Sequence, residues 1–72
     1  KVTIGSTVTI RDTELDEVET YMIVGSTEAD PDNNKISDES PLGAAIIGKG
    51  AGTIVQVHAP AGVIEFELLE VK

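Results

Sequence analysis

Apolar and polar positions alternate in two early stretches of the chain. Thr7-Val8-Thr9-Ile10-Arg11 alternates throughout, and Glu17-Val18-Glu19-Thr20-Tyr21-Met22-Ile23-Val24 alternates at first and then turns apolar on both faces. A period of two sends successive side chains to opposite sides of an extended backbone, so both stretches are predicted to be strands. Between them Asp12-Thr13-Glu14-Leu15-Asp16 is short and acidic, as expected of an exposed hairpin connection whose carboxylates face water. The next segment, Gly25-Ser26-Thr27-Glu28-Ala29-Asp30-Pro31-Asp32-Asn33-Asn34, gathers residues that tolerate positive φ or bond their own backbone. It predicts a loop, the kind of segment that often carries contacts.

Ser40-Pro41 is a helix start: the Ser oxygen can accept an orphan amide, and Pro in the first helical position sacrifices no hydrogen bond. Gly48 is the matching stop. Leu42, Ala45 and Ile46 share a face, and Ile47 with the Ala and Gly residues leaves almost no polar side, so this two-turn helix is expected to be largely buried. Such a short helix cannot stand alone in water. After the link Gly48-Lys49-Gly50-Ala51-Gly52, two more strands are predicted, Thr53 to His58 and Val63 to Val71, joined by a turn over Ala59-Pro60-Ala61-Gly62. In the last strand Ile64, Phe66 and Leu68 oppose Glu65 and Glu67, but Leu69 and Val71 continue the apolar pattern on the other face. That break in parity predicts a bulge, or a strand covered on both sides near its end. The expected fold is α+β, an antiparallel sheet of about four to five strands packed on one short helix.

A chain of 72 residues has room for one domain with a thin margin of stability. Apolar residues make up 40% but aromatics only 3%, namely Tyr21 and Phe66, so the core is aliphatic. The absence of cysteine excludes a disulfide framework and a thiolate metal site, and a cytoplasmic location is expected. The longest apolar stretch, Leu42 to Gly48, falls far short of the roughly 20 residues of a spanning helix, so no membrane association is expected. A formal charge of −8 repels phosphate backbones and anionic membranes and favours a basic protein surface as partner, so direct nucleic-acid binding is not expected. The first residue is Lys1 and Val2-Thr3-Ile4 already alternates, which suggests a piece of a longer protein.

Candidate chemistry is sparse. Gly48-Lys49-Gly50-Ala51-Gly52-Thr53 invites a phosphate-loop reading, but such loops sit between a preceding strand and a following helix, and here the order is reversed. Asp30, Asp32 and Asn34 have the spacing of the first calcium-loop ligands, yet Lys35 stands where Gly is needed and Pro41 where Glu is needed. His58 is the only histidine, so neither a nucleophile triad nor a histidine-rich metal site can be assembled. Glu65 and Glu67 could do acid and base work in principle, but their alternate strand positions read better as a solvated face. No catalytic site, cofactor or metal is expected.

The run Lys35-Ile36-Ser37-Asp38-Glu39-Ser40-Pro41-Leu42-Gly43-Ala44-Ala45-Ile46-Ile47-Gly48-Lys49 resembles the signature of the C-terminal domain of bacterial Gre-type transcript cleavage factors, especially the GreA-like members. Tyr21-Met22-Ile23-Val24-Gly25, Glu28-Ala29-Asp30 and Pro60-Ala61-Gly62 extend the resemblance over essentially the whole chain. It implies one FKBP-like domain over residues 1–72, without the N-terminal coiled coil of that family. It further implies docking of a monomer on RNA polymerase at the rim of the secondary channel. The polymerase itself hydrolyses backtracked RNA, helped by acidic residues at the tip of the coiled coil. Ser37, Glu39 and Pro41 match family positions associated with polymerase contact, and the rival reading is that Ser37 to Pro41 merely caps and orients the helix. Two positions depart from the family: Ala44 stands where Arg is common and Thr53 where Asp is common.

Three other functions fit less well. A Gre-like paralogue in the same channel would inhibit transcription, and only the coiled-coil tip separates it from a cleavage factor. Prolyl isomerisation is suggested by the implied fold, but isomerase pockets are lined by several aromatic residues and this chain has two. A purely structural oligomerisation domain requires a large exposed apolar patch.

Overall fold

A computed structural model describes all 72 residues and shows five strands and one α-helix. In chain order these are β1 (Thr7–Asp12), β2 (Glu17–Val24), β3 (Lys35–Ser37), α1 (Pro41–Ile46), β4 (Ile54–Ala59) and β5 (Gly62–Val71). They form a single sheet in the order β3-β2-β1-β5-β4. All neighbours are antiparallel except β3, which runs parallel to β2 through Met22–Lys35, Ile23–Ile36 and Val24–Ser37. The α+β expectation holds, and the sheet is mixed because of this fifth strand.

Local chemistry explains each connection. In the first hairpin Asp12 Oδ1 accepts from the amides of Glu14 (2.9 Å) and Leu15 (3.1 Å), and Asp16 takes φ +56°, a conformation that Asp tolerates. Pro60 and Ala61 form the second, with Ala59 opposite Gly62 and the glycine at φ +134°. The predicted loop over 25–34 contains two short 3₁₀ turns, Ser26–Glu28 and Pro31–Asn33, and Asn34 closes it at φ +57°. Asn34 then accepts from the Met22 amide (2.9 Å) and donates from Nδ2 to the Thr20 carbonyl (3.0 Å), which docks β3 alongside β2.

The core gathers Val2, Val8, Ile10, Ile23, Ile46, Val55 and Leu68, with Tyr21, Ile36, Leu42, Ala45, Phe66 and Val71 packed around it. Each such aliphatic side chain, once buried, contributes about 1.5–3 kcal/mol. Leu68 lies opposite Ile10 and Glu70 opposite Thr9, so Leu69 has no partner on β1 and forms the bulge that the sequence announces. The extra residue turns both Leu68 and Val71 toward the core and leaves Leu69 outside. On the outermost strand β4, Val55 and Val57 are buried while Ile54, Gln56 and His58 face water. One side of β4 pairs with β5, and the other is a free edge of the sheet.

Helix α1 packs between β3 and β4. At its start Ser40 Oγ accepts from the Gly43 amide (3.1 Å) and donates to the Ser37 carbonyl (2.6 Å), so one hydroxyl both caps the helix and ties it to β3. At its end Gly48 takes φ +78°, and its amide donates to the Val2 carbonyl while the Val2 amide donates to that of Lys49, both at 2.8 Å. The helix is less covered than its composition predicts: Gly43 and Ile46 are buried and Leu42 and Ala45 half-buried, but Ala44 and Ile47 face solvent. Six residues offer one packing face, and two edge strands flank only that side.

A Cβ on Gly43 would lie 2.0 Å from the Ser37 carbonyl oxygen, which is backbone and cannot yield cheaply. Alanine normally favours a helix over glycine by about 1 kcal/mol. Gly43→Ala is nevertheless expected to destabilise the domain by about 2 kcal/mol, lowering Tm by roughly 8–16 °C in thermal melts followed by circular dichroism. An unchanged Tm would contradict the seating of α1 against Ser37.

Candidate functional site

Two surface features carry polar chemistry beyond ordinary solvation. The first is the entry to α1. Ser37 ends β3 and is only 9% exposed; its Oγ accepts from the Glu39 amide (2.9 Å), and its carbonyl accepts from the Ser40 amide (3.1 Å) and Ser40 Oγ. Glu39 and Pro41 are exposed, and the Glu39 carboxylate makes no ion pair within the chain. Ser37, Glu39 and Pro41 therefore differ in their placement. Ser37 is a buried strut, and it presents Glu39 and Pro41 on a loop held by at least four hydrogen bonds.

The second feature is a cavity of about 160 Å³ lined by Ile10, Asp12, Glu17, Glu19, Tyr21 and Phe66. Cross-strand register explains it: Val8 faces Tyr21, Ile10 faces Glu19, and Asp12 faces both Glu17 on β2 and Phe66 on β5. All six lining residues stand on the face of the sheet that carries the core, at the end that α1 does not reach. Tyr21 donates to the Glu19 carboxylate, and this bond, aided by burial and by the charge on Glu19, pushes the Tyr21 hydroxyl up to about 12. Sequence reasoning assigned Asp12 to a solvated turn and missed the cavity. The available signal was parity: Ile23 points into the core, so Tyr21, Glu19 and Glu17 share its face.

The remaining candidates are engaged locally. Asp30 Oδ2 accepts from Asn33 Nδ2 (2.7 Å) and the Asn34 side chain is bonded to Thr20, so these side chains hold the turn. Glu65 Oε1 accepts from the Thr13 hydroxyl (2.8 Å), and Glu67 Oε1 accepts from Arg11 Nη2 (2.9 Å) and Nε (3.3 Å). Arg11 also reaches Asp16 at 3.1 Å, on the sheet face opposite the cavity. His58 is exposed on β4 opposite Val63, and Gly48 to Thr53 links helix to strand with Gly48 and Gly52 at positive φ.

Fold and helix entry together define a small α+β domain in which one capped helix is seated beside a mixed five-stranded sheet. The family description "Transcription elongation factor, GreA/GreB, C-term" matches residues 1–72, and the chain belongs to that family. It is 57% identical over 70 residues to the transcription elongation factor GreA of Clostridium botulinum, a match spanning 97% of this chain and 44% of that protein. It is 55% identical over 71 residues to the GreA of Clostridioides difficile, covering 99% and 45%. The solved structure of GreA factor homolog 1 of Thermus thermophilus superposes with a TM-score of 0.84 at 32% identity, covering 99% of this chain and 47% of that one. The chain thus spans less than half the length of these relatives.

Tyr21 is the only tyrosine and there is no tryptophan, so its phenolate absorbance can be followed alone. Ionisation is expected at about pH 12, and Glu19→Gln is expected to return it toward the ordinary value of 10.0. Because the folded-state value is raised, the stability this bond contributes is complete below pH 10.0 and disappears as pH climbs to about 12. A Tyr21 that titrates at its ordinary value in the folded chain would show that the bond to Glu19 does not form in solution.

Proposed function

We propose that this domain is the RNA polymerase-binding module of a GreA-type elongation factor, one that promotes cleavage of backtracked RNA and rescues arrested complexes. The observation that carries the reading is the helix entry: family-matched Glu39 and Pro41 stand exposed and pre-ordered on the buried Ser37. Pre-ordering lowers the entropic cost of docking, and an exposed carboxylate beside a rigid proline suits a basic protein surface. The net charge of −8 acts in the same direction and disfavours direct contact with nucleic acid. The reading places a monomer in the cytoplasm, at the rim of the polymerase secondary channel. No helix of the chain is long and apolar enough to cross a membrane.

In this reading the domain docks and does not catalyse. Its two aromatic residues and three carboxylates around one cavity differ from the aromatic-rich pocket associated with prolyl isomerases. Turnover of a proline-containing test peptide above background would overturn the non-catalytic reading. The likeness to GreA factor homolog 1, at 32% identity, keeps a Gre-like paralogue as the rival reading. The GreA relatives, at 55–57%, favour the cleavage-factor reading.

The isolated chain is expected to bind purified bacterial core RNA polymerase saturably, to weaken as salt rises and to be displaced by an intact cleavage factor. Substituting Glu39 and Pro41 together by Ala is expected to weaken binding about tenfold or more with Tm nearly unchanged, whereas Ser37→Ala lowers both. Undiminished binding by the folded double variant would move the docking site elsewhere. No binding by the folded parent chain would remove the support for a self-sufficient docking module.

A further inference from the structure

The cavity at the uncovered end of the core-facing sheet combines two properties that the helix entry lacks. It presents the only tyrosine and the only phenylalanine of the chain, Tyr21 and Phe66, and it carries Asp12, Glu17 and Glu19 without any cation of the chain beside them. Arg11 is engaged by Glu67 and Asp16, and Lys72 by Glu70. Asp12 and Glu17 are directly opposite in the antiparallel pair, an arrangement of like charges that destabilises a sheet unless a cation joins it. Asp12 Oδ1 holds the turn amides and Glu19 holds the Tyr21 hydroxyl, while Glu17 makes no hydrogen bond with its side chain.

Size and shape narrow the guest. A cavity of about 150 Å³ accommodates a benzene ring, so the 160 Å³ here matches one planar group of that size. Apolar walls from Ile10 and the two rings suit an alkyl stem and a flat cationic head, and the carboxylates at the rim suit its N–H donors. Guanidinium fits better than ammonium because it is planar, stacks on aromatic faces and bonds carboxylates through two donors at once.

We propose that this pocket receives a single arginine side chain projecting from the surface of the protein on which the domain docks. The proposal takes the existence of a protein partner from the docking reading, but the pocket is separate from the helix entry. Ser37 pairs with Val24, and five residue steps along β2, about 17 Å of extended backbone, lead from Val24 to Glu19.

The test titrates the 72-residue chain with N-acetyl-arginine amide while the ring protons of Tyr21 and Phe66 are followed by NMR, with the uncharged isostere N-acetyl-citrulline amide as control. Saturable shifts confined to the pocket residues, given by the arginine compound and weakened by salt, are expected. Glu17→Gln with Glu19→Gln should weaken binding by roughly fivefold or more while amide dispersion shows the fold intact. Equal shifts from citrulline, or shifts spread over the whole acidic surface without saturation, would overturn the proposal. So would ring shifts that depend on protein concentration with no probe added, since these would assign the pocket to a second copy of the chain. A free side chain is the probe, so failure here leaves polymerase docking standing, and failure to bind polymerase leaves arginine capture standing.

Discussion

The contact on which most of this domain depends is the approach of the first turn of α1 to the main chain of Ser37. It requires a glycine at position 43, because any Cβ there would overlap the Ser37 carbonyl oxygen. It also requires the Ser40 hydroxyl, which serves that same carbonyl and the helix at once. With α1 held there, Ile46 reaches the cluster of Ile10, Ile23 and Leu68, and β3 is pinned between the helix and β2. A helix of six residues has little stability of its own, so the contact and the core sustain each other.

The same contact gives the helix entry its character. Ser37 cannot be both a buried strut and a freely accessible ligand, so the capping reading and the docking reading of this segment describe different residues of one device. The strut is Ser37 with Ser40, and the exposed surface is Glu39 with Pro41. Rigidity at the first pair is what lets the second present a fixed carboxylate and ring.

Much of this was legible in the residues. β2 ran over the predicted span, both hairpins fell at their turn residues, Ser40 capped the helix that Pro41 begins, and the parity break after Leu68 marked the bulge. β3 was not legible: three residues are too few to show a period, and its single half-buried Ile36 is placed by pairing with a strand more than ten positions away. The exposure of Ala44 and Ile47 was missed because composition cannot reveal how many elements flank a helix. The cavity was missed for a related reason, since it exists only where Glu19, Ile10 and Phe66 meet across three strands.

The outermost strand carries a different consequence. β4 offers a row of unpaired backbone groups beside an exposed Ile54, with no lysine, arginine or carboxylate between Ile54 and Ala59 to deter another strand. Besides β5 only the short helix α1 lies against this strand, so further protection falls to the long-range field of the surplus carboxylates, which drives copies of the chain apart before their edges can meet. Acidity here is thus a colloidal device. A homologue that gave up much of its negative charge would need a lysine or proline on this strand to remain dispersed.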